Sequence, residues 1–190
     1  MPNLYVISGC NGAGKTTASY AMFPKMLDCK EFINADEIAK GLSPFQPEKV
    51  AIDAGRIMIF RMNEMLRQKE DFAIETTLAT KSYANFIRRA QSEGYFVTLI
   101  YFWLDSPELA VRRVEQRVSM GGHYVPEEVV YRRYRAGMKN LFSMFVPISD
   151  YWILINNSTD PFQIIAEGNR TQITDVQDED IFDYLRSKSL

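Results

Sequence analysis

Short apolar runs alternate with longer amphipathic stretches along this chain, as βαβ units around a parallel sheet require. "NLYVIS" (3–8) predicts the first strand, and a helix follows from about Lys15 to Phe23, where Pro24 argues against its continuing. "EFIN" (31–34) predicts a second strand. Pro47 and Glu48 open a long helix to about Gln68, with Val50, Ala54, Ile57, Met58, Phe60, Met65 and Leu66 approximating an apolar stripe. "DFAIE" (71–75) predicts a third strand, then a helix over 82–92 closed by Gly94. "YFVTLIYFWL" (95–104) is continuously apolar, the mark of a central strand covered on both faces. Asp105 or Ser106 caps a helix that carries Pro107 in its first turn and runs to about Val118. "SMGGHYVP" (119–126) reads as a loop and 127–142 as a helix. "YWILINN" (151–157) gives a fifth strand, 162–169 a sixth, and about 179–188 a last short helix. No linker interrupts this order, so residues 1–190 read as one domain.

Composition narrows the class. With 46% hydrophobic residues the chain can build a sizeable core, and a net charge of −2 gives no global pull toward nucleic acid or membrane. Cys10 and Cys29 form neither a CxxC nor a metal-ligand cluster, and they read as reduced thiols of a cytoplasmic protein. The N-terminal apolar run leads straight into a glycine loop and does not read as a signal peptide. The longest apolar stretch is half of what a membrane span needs.

The chemistry begins at "GCNGAGKT". Gly9, Cys10, Asn11, Gly12, Ala13, Gly14, Lys15 and Thr16 match G-x-x-x-x-G-K-[ST] between a strand and a helix. Glycines let backbone N–H groups converge on a polyphosphate, and the helix N-terminus adds its positive dipole end. Lys15 is expected to reach the β and γ phosphates and Thr16 to ligate Mg²⁺, with Gly9, Asn11 to Gly14 and Thr17 completing the nucleotide site. Cys10 is either a redox-sensitive thiol or a small filler.

Three acids compete for what happens to the phosphate. Asp105 looks like a helix cap, whereas Glu75 ends the third strand and leads into Thr76-Thr77 at the carboxyl edge of the sheet, where open α/β sheets bind ligands. Asp36 follows the second strand at the same edge. It is either the base that takes a proton from an attacking hydroxyl or the cap of a helix over 37–40. Arg112, Arg113 and Arg117 lie on one helix, and Arg132, Arg133 and Arg135 on the next, across "GGHYVP". Two helices and a mobile turn resemble the lid of small-molecule kinases, here about 112–135, closing arginine forks over phosphates. The alternative for each arginine is a solvated helix face. Glu115, Glu127 and Glu128 between them argue against a nucleic-acid groove. His123, the one histidine, touches a phosphate or is exposed. The tail, about 170–190, carries an acidic run (Asp175, Asp178, Glu179, Asp180) that reads as a solvated face.

The order phosphate loop, "INADEI", "IETTLAT", "DSPELAVRRVEQR" resembles the zeta toxin family of P-loop kinases, over roughly residues 4–157. Relatives are often labelled ABC-type ATPases. The resemblance implies a three-layer α/β P-loop kinase fold with a mostly parallel sheet of five or six strands and a helical lid. It also implies phosphotransfer from ATP or GTP with Mg²⁺ to a hydroxyl of a small molecule, UDP-N-acetylglucosamine in the best-known members. Asp36 falls on the family's general base, Glu75 and Thr77 on its substrate side, and Arg117 on a phosphate-contacting arginine. The family's second lid arginine, counted back from Pro126, falls on His123. His123 itself or an arginine of the next helix, Arg133, takes that place, and Arg113 is a further lid candidate. "GGHYVP" is also similar to lids of gluconate-kinase-like enzymes. An antitoxin partner would follow from the resemblance alone. The other readings are an ATPase switch, for which no LSGGQ-like stretch is found, and a nucleotide-dependent binding module without turnover.

Overall fold

A computed structural model describes residues 1–22, 29–122 and 124–189. Among them, seven strands form one sheet in the order β2-β3-β1-β4-β5-β6-β7. The first five are β1 (Asn3–Gly9), β2 (Glu31–Ile33), β3 (Phe72–Thr76), β4 (Phe96–Trp103) and β5 (Tyr151–Asn156), which run parallel to one another. Then β6 (Gln163–Asn169) and β7 (Ile173–Val176) extend the sheet antiparallel. The helices are α1 (Lys15–Met22), α2 (Ala35–Leu42), α3 (Ala51–Gln68), α4 (Ser82–Ser92), α5 (Pro107–Ser119), α6 (Glu127–Asn140) and α7 (Glu179–Ser187). Phe23 and Pro24, where the first helix was expected to stop, lie outside the described residues.

β4 is the spine. It lies between β1 and β5, and Val97, Leu99, Ile100, Tyr101 and Phe102 are at most 3% exposed. Burying such side chains is worth about 1.5–3 kcal/mol each, which is why this stretch is apolar without alternation. The parallel strands all deliver their carboxyl ends to one edge, and the candidate site is built there.

Three elements differ from expectation. α2 is a full helix of two turns, and β7 adds a seventh strand to the expected five or six. α3 is preceded by a 3₁₀ turn at Pro47–Val50, and it buries Ala54, Met58, Met62, Met65 and Leu66. Ile57 and Phe60 of the expected stripe instead stand 42% and 61% exposed. No described helix is long and apolar enough to cross a membrane.

Candidate active site

β1 ends at Gly9, and the loop runs to Gly14 before α1 begins at Lys15. Gly12 and Gly14 have φ of +79° and +81°. A Cβ at Gly12 would stand 2.5 Å from the Ala110 carbonyl oxygen, and one at Gly14 2.5 Å from Asn157 Nδ2. Both the backbone conformation and the space exclude a side chain. Lys15 is 5% exposed; its Nζ donates to the Cys10 carbonyl (2.8 Å) and lies 3.5 Å from Glu75 Oε1. Asn11 and Ala13 are buried in the loop, while Thr17 is exposed on α1. Cys10 is 3% exposed, and burial pushes its thiol up to about 11 although the Lys15 ammonium pulls the other way. A thiol so protonated and covered is a packing residue.

Glu75 is the hub. Its Oε2 accepts from Thr16 Oγ1 (2.7 Å) and from Asn34 Nδ2 (2.8 Å). The strand end that the family resemblance sets beside the substrate thus touches the phosphate loop itself. Behind it, Thr76 Oγ1 accepts from the Leu78 amide (3.1 Å), and Leu78 adopts φ +55° with its side chain fully buried. Left-handed backbone in a branched residue is strained and needs outside support. Asn140 of α6 gives it, donating Nδ2 to the Leu78 carbonyl (2.7 Å). The Thr77 carbonyl faces α6 at Gly137, where a Cβ would lie 2.7 Å from it.

Asp36 is not a helix cap. Asn34 caps α2, accepting at Oδ1 from the amides of Asp36 (2.8 Å) and Glu37 (3.4 Å). Asp36 sits in the first turn, half-buried, and lines two cavities. One, about 450 Å³, also contains Asn11, Lys15, Glu75, Thr77 and Arg133. The other, about 410 Å³, contains Thr16, Phe45, Arg117, Gly121 and Tyr124.

The six arginines divide. Arg112, Arg132 and Arg135 are exposed. Arg113 donates to the carbonyls of Asn157 (2.8 Å) and Ser158 (3.1 Å), just beyond β5. Asn157 in turn donates Nδ2 to the Ala13 carbonyl (2.8 Å), so this loop is tied to the phosphate loop. Arg113 therefore braces the flank of the site. Arg133 donates to Asn11 Oδ1 (3.1 Å); burial lowers its pKa, and the Asp36 carboxylate works against that shift. Arg117 is half-buried in the wall of the second cavity. His123 lies outside the described residues. Asn34 has no role in the sequence reading, and Asn157 enters it only as part of the loop at about 156–159, expected to flank the adenine by analogy with P-loop kinases generally. An asparagine between a strand and a helix start is a capping signal that points to the first; nothing local points to the second.

The phosphate-loop motif implies magnesium, and the donor set fits. Thr16 Oγ1 and the Glu75 carboxylate are hard oxygen donors in contact at the loop, as Mg²⁺ prefers alongside phosphate and water oxygens. The described residues hold no cluster of three or more His, Cys, Asp or Glu side chains that could bind a metal alone. An ion that arrives with a polyphosphate needs none.

Comparison with known proteins identifies the family and the fold. The family model described as zeta toxin matches residues 1–146. An uncharacterized protein of Haemophilus influenzae is 32% identical over 127 residues, 66% of this chain and 88% of that protein. Among solved structures, the AvrRxo1-ORF1:AvrRxo1-ORF2 complex with sulphate ions superposes with a TM-score of 0.80 at 18% identity. It covers all of this chain, which spans 65% of that one's length. The same pair has a structure with ATP, at a TM-score of 0.75. The PezAT toxin–antitoxin system of Streptococcus pneumoniae matches with a TM-score of 0.66 at 14% identity, over 99% of this chain and 86% of that one. A gluconokinase from Sinorhizobium meliloti, at 0.52 and 14% identity over 83% of each chain, has the same P-loop kinase fold. With more than half of its length matched by one family model, the chain belongs to the zeta toxin family.

Proposed function

We propose that this chain is a nucleotide-dependent phosphotransferase that moves the γ-phosphoryl group of ATP or GTP to a hydroxyl of a small molecule. The observation that carries the reading is the placement of Asp36. This half-buried carboxylate lines one cavity with Lys15, Glu75 and Arg133 and another with Thr16 and Arg117. A base there meets an acceptor hydroxyl within reach of a phosphate held by the loop.

In this reading the backbone amides of the loop, Lys15 and the α1 N-terminus bind the phosphates. Thr16 and Glu75 hold Mg²⁺, which when bound offsets phosphate charge. Asp36 takes the hydroxyl proton as the acceptor oxygen bonds to the γ-phosphorus and the bond to the β-phosphate oxygen breaks. Arg117 and Arg133 balance negative charge from the lid side and exclude water. Arg133 takes the place of the family's second lid arginine, since it already reaches Asn11 of the loop. Thr77 contacts the acceptor. A UDP-N-acetyl sugar is the acceptor the family suggests, and an antitoxin is the protein partner suggested by the PezAT likeness. The whole chain acts as one catalytic unit.

Asp36→Asn tests the assignment. It is expected to lower transfer by a factor of 10² or more, the lower range for losing a positioned base, while leaving nucleotide affinity within about threefold. Transfer at the wild-type rate would remove Asp36 from the role.

A further inference from the structure

Asn34 is 5% exposed and uses both ends of its amide. Oδ1 accepts from the backbone N–H groups of Asp36 and Glu37, and Nδ2 donates to Glu75 Oε2 at 2.8 Å. That same carboxylate oxygen accepts from Thr16, and the other lies 3.5 Å from Lys15 Nζ. One side chain therefore joins the acid that contacts both functional residues of the phosphate loop to the turn that carries Asp36.

Capping alone does not ask for asparagine. Serine, threonine and aspartate cap as well or nearly so. Aspartate would set a second carboxylate against Glu75, and serine or threonine is too short to hold the cap and reach the acid together. Only a neutral amide accepts at one end and donates at the other with this reach.

We propose that Asn34 is a positioning residue that couples nucleotide occupancy of the phosphate loop to the first turn of α2, and so to the aim of Asp36. The functional half of this proposal rests on the reading of Asp36 as the base. Glu75 is shared among Thr16, Lys15 and Asn34. Phosphates recruit Lys15, and Thr16 turns to its own ligand. Beside the Mg²⁺ it would hold with Thr16, Glu75 then keeps Asn34 as its side-chain partner, and the amide anchors Asp36 and Glu37 more firmly.

The test is hydrogen–deuterium exchange over residues 35–42, with and without Mg²⁺ and a non-hydrolysable ATP analogue, in wild type and Asn34→Ser. Serine retains the cap, so exchange without nucleotide is expected to match wild type. Nucleotide is expected to slow exchange at Asp36 and Glu37 about fivefold or more in wild type, the low end of coupling between sites, and to leave Asn34→Ser unchanged. Analogue affinity stays within about threefold, and phosphoryl transfer falls mainly in kcat, by about tenfold or more, within the roughly 10²-fold that misplacing a reacting group by about 1 Å can cost. Equal slowing in both proteins, or none in wild type, overturns the proposal. If Asn34→Ser exchanges faster than wild type without nucleotide, Asn34→Thr, a capping side chain equally unable to reach Glu75, replaces it under the same criteria. Asp36→Asn separates this claim from the functional reading. It retains the backbone bridge, so it keeps nucleotide-dependent slowing whether or not it loses transfer.

Discussion

Gly137→Ala sets two effects of known size against each other. In a helix interior alanine is favoured over glycine by about 1 kcal/mol. Gly137 is in α6, but its Cβ would stand 2.7 Å from the Thr77 carbonyl oxygen and 3.6 Å from the Tyr101 hydroxyl. The near atom is backbone, held in a loop that Asn140 and the left-handed Leu78 already fix. It cannot swing aside, so α6 must move, and overpacking of this kind costs about 1–3 kcal/mol. The propensity gain offsets part of that, leaving a net destabilisation of about 0–2 kcal/mol. Gly55 in α3 is the control, since a Cβ there meets nothing within 4 Å. Gly55→Ala is expected to stabilise by about 0.5–1 kcal/mol. Propensity is common to both, so the difference between the variants, about 1–3 kcal/mol, reports the contact itself. Urea denaturation followed by circular dichroism measures it, and a protein of this size shifts by about 2–4 °C in Tm per kcal/mol. Arg133 lies one turn before Gly137 on the same face of α6, so moving the helix also draws its fork from Asn11, and transfer falls with stability. Equal stabilisation by both substitutions, with activity retained, would refute the close approach of α6 to the Thr77 loop.

Glu75→Gln is expected to weaken nucleotide binding about tenfold or more with Mg²⁺ present, the size seen when a metal-site partner is lost, and much less in EDTA. Titration of a fluorescent nucleotide under both conditions checks it, and an equal loss in both contradicts the metal-side role. Stability should also fall in alkali. Burial pushes the Cys10 and Cys29 thiols from an ordinary 9 up to about 11 in the folded chain. Below pH 9 both states keep these protons. From about 9 towards 11 the unfolded chain releases them first, so folding stability is lost progressively over that window. Tyr95 and Tyr151, pushed up to about 12, extend the decline above pH 10. A urea midpoint that holds constant from pH 8 to 10.5 would contradict the burial of these groups.

Much of this was legible in the chain because it depends on periodicity or on local motif. β4 reads as a buried strand from a run of ten residues apolar at every position but Thr98, and the phosphate loop from its glycines. α2 is less visible because it is only eight residues long, with Ala39 its one buried side chain. β7 is hidden for the opposite reason. Its residues are mostly exposed, and it exists by pairing with β6. On α3 the apolar composition misleads, since Ile57 and Phe60 face outward while Met62 turns in. The contacts of Glu75 with Thr16 and of Asn157 with Ala13 join residues 59 and 144 positions apart. Only strand order brings such pairs together, and a single amide carries no pattern that announces its partner.

The central claim is that the γ-phosphoryl group passes to a hydroxyl aimed at Asp36. The most direct measurement follows γ-labelled ATP with Mg²⁺ over a panel of UDP-sugars, sugars and nucleosides, beside a control without acceptor. Label on one class of acceptor, lost in Asp36→Asn with nucleotide binding retained, is the predicted result. Free phosphate alone, released at a rate indifferent to every acceptor and to Asp36→Asn, would contradict it and mark the chain as a nucleotide hydrolase.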